Sequence, residues 1–239
     1  MELPPLSVDE KFPILKKSKS SAGIPELDTL LEGGYSHPGL VMLLGPTGME
    51  KMAFAFHFAK EGLNRGEKVF YINSDSTPED VRNKAASFGC ELEDEKNFRF
   101  IDCYSSTLGS KAQTSRDIIV PGPSALNDLS LAINEAIKES AGKKMRVIFH
   151  SLSAFVLYNP KDSILKFIQV IGGRLKNADA TVLLLVEDGM HEKQLLATLE
   201  RSMDEKFVIH DRGGSFELEL TSISASVPIK LTPAGIAIL

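Results

Sequence analysis

The chain has 239 residues, of which 43% are hydrophobic and 25% are charged, as in an ordinary globular protein. Its formal net charge of -5 lacks the basic excess that DNA-binding domains usually show, so direct binding of nucleic acid is not expected. Nothing at the N-terminus resembles a signal peptide, and no run of about 20 apolar residues could span a bilayer, which predicts a cytoplasmic protein that does not enter a membrane. Cys90 and Cys103 show no spacing typical of a metal site or a disulfide framework.

Hydrophobic periodicity predicts that strands and helices alternate along most of the chain. The predicted strands are 40–44, 68–73, 98–103, 145–150 and 181–187. The predicted helices are 51–64, 78–89, 125–140, 160–177 and 191–202. This alternation predicts an α/β fold in which right-handed crossovers join the strands of a mostly parallel sheet.

The pattern changes near the C-terminus. After Asp204, short alternating strands are predicted near 206–211, 215–221 and 228–231. A turn is predicted at Gly213–Gly214, between the first two of them. This tail predicts an antiparallel extension of the sheet.

Two segments are expected to depart from the regular alternation. Residues 1–20 contain three prolines and predict an N-terminal extension that is partly mobile, whereas residues 21–239 are expected to form one domain. Residues 105–124 are rich in Ser, Thr, Gly and Pro and predict a long loop. The cluster of lysines near the N-terminus could contact the phosphates of a nucleic acid, but a solvated tail is the favoured interpretation. They are Lys11, Lys16, Lys17 and Lys19.

The segment that follows the strand 40–44 stands where a nucleotide-binding loop belongs. Such a loop has the pattern G-x-x-x-x-G-K-[ST] between a buried strand and a helix, and its backbone amides hold phosphate groups. Gly45, Gly48 and Lys51 stand where this pattern expects them. The candidate phosphate-loop residues are Gly45, Pro46, Thr47, Gly48, Met49, Glu50, Lys51 and Met52.

Two of these residues depart from the phosphate-binding pattern. Glu50 replaces the glycine before the lysine and would set a negative charge beside the phosphates. Two like charges about 4 Å apart repel by about 4 kcal/mol at a protein-surface dielectric, which exceeds the ~0.3–1 kcal/mol that a helix N-terminus offers an anion. Met52 replaces the hydroxyl residue with a thioether, a soft donor that magnesium does not favour. Lys51 could then pair with an acid of its own chain.

Two further strand ends are expected beside this loop. The strand 145–150 ends in His150, where P-loop ATPases carry an aspartate that positions magnesium. The strand 68–73 is followed closely by Asp75. Because the carboxyl ends of parallel strands meet at one edge, Lys51, His150 and Asp75 are expected there together. His150 could be a metal ligand or a base, but a hydrogen-bonded histidine filling the vacated site is the favoured interpretation.

These motifs together resemble the KaiC/RadA branch of the RecA-type P-loop ATPases, and the archaeal KaiC-like proteins in particular. The other matching segments are 22–34, 64–72, 150–153 and 231–236, so the likeness covers nearly everything from about Ser21 onward. The resemblance implies a RecA-like fold, with helices flanking a mostly parallel central sheet and antiparallel strands at the C-terminus.

The resemblance also implies a role for each altered position. Met52 stands at the family's magnesium-binding threonine or serine, and His150 at its magnesium-positioning aspartate. Asp75 falls at the position of the catalytic glutamate that activates water, but it is one methylene shorter and is followed by Ser76. A Lys-x-Arg element that relatives present to a neighbouring subunit's nucleotide is missing between residues 205 and 239.

Because four elements of the family's ATPase site are altered, the resemblance implies a pseudo-ATPase that has lost magnesium-ATP hydrolysis. Such a protein would act as a regulatory or assembly partner, for example of an active KaiC-like or RadA-like relative. No metal and no cofactor are expected, and any binding of ATP or ADP is expected to be weak. Relatives often form hexameric rings. For this chain, a monomer or a dimer is expected at least as much as a ring.

Two other functions stay open at this point. One is a weak or magnesium-independent ATP- or ADP-binding protein with low ATPase activity, using Gly48 and Lys51 with His150 and Asp75 in altered roles. The other is a DNA-repair accessory protein, for which family analogy is the sole support.

Two smaller motifs have both a functional and a structural interpretation. Glu187 and Asp188, with His191 and Glu192 close by, could bind a cation, but a solvated loop is favoured because no ligand spacing is recognisable. The aromatic residues of segment 54–59 could serve as a recombinase-like tether, but core packing is favoured at helical spacing.

Overall fold

The computed structural model describes residues 18–94, 96–109 and 116–239. The α-helices of these residues are α1 (Pro25–Leu30), α2 (Met49–Asn64), α3 (Pro78–Ala86), α4 (Leu126–Glu139), α5 (Leu152–Tyr158), α6 (Lys161–Asn177) and α7 (Lys193–Glu200). The strands are β1 (Ser18–Ser20), β2 (Tyr35–His37), β3 (Gly39–Gly45), β4 (Lys68–Asn73), β5 (Phe98–Asp102), β6 (Ile118–Ile119), β7 (Met145–His150), β8 (Ala180–Glu187), β9 (Glu205–Asp211), β10 (Phe216–Leu220), β11 (Ala225–Thr232) and β12 (Gly235–Ile238).

Ten of these strands form one sheet in the order β12-β11-β10-β9-β3-β8-β7-β4-β5-β6. The strands from β9 to β6 in this order pair in parallel, whereas β9, β10, β11 and β12 pair antiparallel. The short strands β1 and β2 pair separately. The predicted parallel sheet with an antiparallel C-terminal extension is therefore confirmed.

Helices cover both faces of the sheet. Alternate residues of β3 point to opposite faces, so that Val41 and Leu43 pack with α1, α2 and α3, whereas Leu40, Met42 and Leu44 pack with α4, α6 and α7. The aromatic residues of segment 54–59 lie in the first of these cores, as the structural interpretation of that segment expected. Burial on both faces explains why the parallel strands are almost uniformly apolar in sequence.

The largest errors of the sequence prediction concern short elements. Helices α1 and α5 and strands β1, β2 and β12 were not predicted, because segments of three to seven residues carry too little periodicity. Helix α3 begins at Pro78 as expected, where Thr77 forms a capping box with Asp80, but it ends at Ala86 rather than at residue 89. The left-handed backbone of Gly89 lies just beyond that end.

Two predicted segments are only partly described. Residues 1–17 of the predicted N-terminal extension lie outside the described residues, and its last three residues form β1. The predicted loop 105–124 contains a 3-10 turn at 105–108 and the short strand β6, while residues 110–115 lie outside the described residues. Within the described ranges, no helix combines the length and apolar character needed to cross a bilayer.

Candidate functional site

The carboxyl ends of β3, β8, β7 and β4 surround a cavity of about 330 Å³ beside the N-terminus of α2. Its lining residues are Thr47, Gly48, Met49, Lys51, Met52, Asp75, Ser76, Lys84, His150, Leu185 and Glu187. The structure thus brings Lys51, Asp75 and His150 together at one edge of the sheet. Gly45, Pro46 and Glu50 belong to the same loop but do not line the cavity.

The Lys51 side chain is turned into its own loop. Its ammonium donates a hydrogen bond to the Gly45 carbonyl at 2.9 Å and another to the Pro46 carbonyl, and the residue is only 2% exposed. Nζ also lies 3.9 Å from Oε1 of Glu187, an acid of the same chain. Burial lowers the pKa of Lys51, while Glu187, Glu50 and Asp188 act in the opposite direction.

The Glu50 carboxylate folds back against the phosphate loop. Its Oε2 lies so close to Gly48 that a Cβ at that position would collide with it. Glu50 is the second residue of α2, and negative charge near a helix N-terminus is stabilised by the helix dipole. The carboxylate therefore lies against the backbone of this loop at Gly48.

The two residues that the resemblance places at magnesium positions offer no side-chain oxygen. Met52 is 7% exposed and presents a thioether, and His150 presents an imidazole, whereas magnesium requires oxygen ligands. Met49, Met52 and Leu185 instead give the cavity an apolar wall.

His150 is a buried, hydrogen-bonded histidine. Its Nδ1 lies 3.0 Å from the Tyr71 hydroxyl, and the two rings meet edge to face. Its Nε2 lies 3.9 Å from Oδ1 of Asp75. Burial lowers the pKa of His150 although Asp75 and Glu187 oppose this effect, so the ring is neutral at pH 7. The hydrogen bond agrees with the favoured interpretation of this histidine, while its filling of a vacated magnesium site stays a prediction.

Asp75 lies at the mouth of the cavity. Its side chain is 44% exposed, and it accepts a hydrogen bond of 3.2 Å from the Ser76 hydroxyl. Ser74 holds this loop against the end of β7, since its amide donates to the His150 carbonyl at 2.9 Å.

Sequence reasoning missed Tyr71, which contacts His150, and also Lys84, Leu185 and Glu187, which line the cavity. Tyr71 could have been found, because Asn73 pairs with His150 across β4 and β7 and Tyr71 is two residues back on the same face. Lys84 had no such signal, since its approach to the cavity depends on how α3 packs.

The acidic segment at the end of β8 is tied to the first turn of α5. The Glu187 amide donates to Oγ of Ser153 at 2.9 Å, and Nε2 of His191 lies 2.7 Å from the same oxygen. Glu192 pairs with Lys161. No group of three or more His, Cys, Asp or Glu side chains in the described part of the chain is arranged to hold a metal ion.

Comparison with known proteins agrees with this architecture. The family described as "ATPase: KaiC" matches residues 20–209. The chain belongs to the KaiC ATPase family. A UPF0273 protein of Aeropyrum pernix is 25% identical over 208 residues, which cover 86% of this chain and 79% of that protein.

Other members cover less of the chain. A UPF0273 protein of Pyrococcus furiosus is 28% identical over 63% of this chain and 62% of its own length. The circadian clock protein KaiC3 of Synechocystis is 29% identical over 57% of this chain and 26% of its own length. The chain thus spans less than two thirds of these two relatives.

A solved structure supports the fold. The crystal structure of a KaiC-like protein from Pyrococcus horikoshii superimposes with a TM-score of 0.73 at 20% identity, covering 93% of this chain and 99% of that one. At this identity the similarity establishes the RecA-like fold alone.

Proposed function

We propose that this KaiC-family chain has lost magnesium-ATP hydrolysis and acts as a regulatory or assembly partner, for example of an active KaiC-like or RadA-like relative. The observation that carries the proposal is the closed state of its phosphate loop. The Lys51 ammonium is engaged by two carbonyls of its own loop, while the Glu50 carboxylate lies against Gly48.

Electrostatics makes this closed loop a poor phosphate site. An incoming phosphate would have to displace Lys51 from the Gly45 and Pro46 carbonyls and approach the Glu50 carboxylate. A like-charge contact at about 4 Å costs about 4 kcal/mol at an effective dielectric of 20, which corresponds to roughly a thousandfold in affinity. ATP and ADP are therefore proposed to bind weakly or not at all.

The proposed partner role is supported by what the chain retains. The ten-stranded sheet and its two helical layers are present, although Met52, Asp75 and His150 differ from the residues that the resemblance expects in an active ATPase site. Surfaces through which a RecA-like domain contacts other proteins do not need a working phosphate loop. Direct contact with nucleic acid is not part of the proposal, because the net charge is -5.

The test is calorimetric titration of the protein with ATP and ADP, with and without magnesium. The wild-type chain should give no saturable heat at micromolar nucleotide. A Glu50→Gly/Met52→Thr variant should gain at least about 100-fold in affinity with magnesium, since it removes the like charge and adds a hydroxyl ligand.

Glu61→Gln is the matched control, because it removes a carboxylate from the same helix α2 but outside the cavity. This control should behave like the wild type. Micromolar binding of ATP or ADP by the wild-type chain would overturn the proposal and favour the nucleotide-binding alternative.

A further inference from the structure

The last strand of the sheet is held to helix α2 by a histidine. β12 lies at one edge of the ten-stranded sheet and pairs with β11 on its inner side. The Leu239 amide donates to the Pro228 carbonyl of β11, so the alternation of an antiparallel pair turns the Ile236 amide away from β11. Nε2 of His57 accepts a hydrogen bond of 3.3 Å from this outward amide. An imidazole of α2 thus occupies the place where a further strand would pair.

Two glycines bring His57 into close contact with its neighbours. A Cβ added at Gly235 of β12 would collide with the His57 ring. A Cβ at Gly23, before α1, would lie 2.5 Å from the His57 carbonyl oxygen. Glycine at both positions therefore lets the ring reach the backbone of β12.

The hydrogen bond fixes where a proton can be added to the ring. Because Nε2 accepts, the neutral imidazole carries its hydrogen on Nδ1, which lies 4.0 Å from Sγ of Cys90. A second proton would go to Nε2, and the N–H formed there would face the Ile236 N–H. Protonation therefore replaces a hydrogen bond with the contact of two donors, which is unfavourable.

The charged side chains beside His57 belong to the same helix. Lys60 and Glu61 line a surface pocket of about 350 Å³ next to the ring. Lys60 donates to the backbone carbonyl of Glu91, and the Glu61 carboxylate is paired with Arg65 at 2.5 Å. The nearest carboxylate is therefore already engaged by a cation.

The other described elements that line this pocket contribute uncharged groups. Cys90, in the segment after α3, faces the ring as a thiol whose pKa is raised by burial. Gly23 before α1 and Ala234 before β12 complete this side of the pocket. Burial also lowers the pKa of the half-buried His57, so the ring is neutral at pH 7.5.

We propose that His57 is a pH-sensitive latch, which holds the edge strand β12 against α2 while its ring is neutral and releases the strand when the ring takes up a proton. Release would free the outward amide of Ile236 for water or for another strand. The proposal goes beyond the proposed function and does not depend on whether the phosphate loop binds nucleotide.

Hydrogen exchange of single backbone amides, followed by NMR, tests the latch. Protection factors, which correct for the pH dependence of exchange itself, are compared at pH 7.5 and 5.5. The protection factor of Ile236 should fall by about 3- to 10-fold at pH 5.5, since 10-fold is the limit for one histidine with an ordinary pKa of about 6.5 in the released strand.

The Cys103 amide, which donates to the Asn73 carbonyl at 2.9 Å, is the reference for opening of the whole domain. It should stay better protected than Ile236 at both pH values, which would show that Ile236 exchanges through local release of β12.

Two variants separate the acceptor from the titration. His57→Gln keeps an acceptor that does not titrate, so the protection factor of Ile236 should change by less than about 2-fold between the two pH values. His57→Phe keeps a ring without an acceptor and should show low protection of Ile236 at both. Circular dichroism checks that each variant is folded, and the comparison of His57→Gln with the wild type decides the matter if His57→Phe is not.

The latch would be ruled out by an Ile236 protection factor that is the same at pH 7.5 and 5.5 in the wild type. An equal fall in the wild type and in His57→Gln would also overturn it. A folded His57→Phe variant with wild-type protection at pH 7.5 would show that the histidine does not hold the strand.

Discussion

Arg146 is a buried cation at the end of the sheet opposite the cavity. It is 1% exposed, and its guanidinium donates to the carbonyls of Ser21 and Phe58 and pairs with Glu67 at 2.5 Å. It also lies 4.5 Å from the centre of the Phe58 ring. Arg146 thereby holds the segment before α1 against α2. Its buried charge requires the carboxylate of Glu67 as a counter-charge.

Removing that acid should be costly. We expect Glu67→Ala to lower the free energy of unfolding by about 3–5 kcal/mol, because it leaves a buried guanidinium without its counter-charge. Urea unfolding followed by circular dichroism measures the change.

The matched control is Glu61→Ala, which breaks the exposed pair of Glu61 with Arg65. It should cost no more than about 0.5 kcal/mol, since exposed pairs on a helix contribute little. Equal losses in the two variants would show that Glu67 does not compensate a buried charge.

At the scale of elements, helix α6 carries two adjacent glycines with different surroundings. A Cβ added at Gly172 would lie 2.5 Å from Cδ1 of Leu40 on β3, whereas a Cβ at Gly173 would meet nothing within 4 Å. Gly172 is therefore buried against the Leu40 side chain, whereas Gly173 faces solvent.

Alanine at these two positions should have opposite effects on stability. Gly173→Ala should raise the free energy of unfolding by roughly 0.5–1 kcal/mol, because alanine is the better helix former. Gly172→Ala gains the same propensity but overpacks against Leu40, so we expect a net loss of about 1–2 kcal/mol. Thermal unfolding of both variants compares them, and a gain in both would mean that α6 is free to move away from β3.

At the scale of the whole molecule, buried and half-buried histidines couple stability to pH. Burial lowers the pKa of four histidines, although neighbouring acids oppose the shift in three of them. These are His37, His57, His150 and His191.

The unfolded chain binds protons at these histidines more readily than the folded chain does. The free energy of unfolding should therefore fall as the pH drops below about 6.5, by up to about 1.4 kcal/mol per pH unit for each fully shifted histidine. Urea unfolding at pH 7.5, 6.5 and 5.5 measures this slope.

His57→Gln is the informative variant for this slope. Nε2 of His57 accepts a hydrogen bond of 3.3 Å from the Ile236 amide, and glutamine can accept the same bond without titrating. The variant should show a smaller loss of stability between pH 7.5 and 5.5. An unchanged slope would show that His57 does not contribute to the pH dependence of the free energy of unfolding.

The sequence by itself determined the features that depend on local pattern. Neighbouring residues are enough to recognise the alternating strands and helices and the change to antiparallel strands after Asp204. They also show that Glu50 and Met52 depart from the phosphate-loop pattern. Hydrophobic periodicity reports which face of an element is buried, and a loop motif has fixed spacing. The short helix α5 was missed because its seven residues form a nearly continuous apolar run.

Only the tertiary structure decided what these residues contact. Glu187 meets Lys51 because β8 lies beside β3, and Tyr71 meets His150 because β4 lies beside β7. The approach of Lys84 depends on the packing of α3. Such contacts join residues far apart in the chain, and their geometry depends on strand order, register and helix packing, which no local pattern encodes.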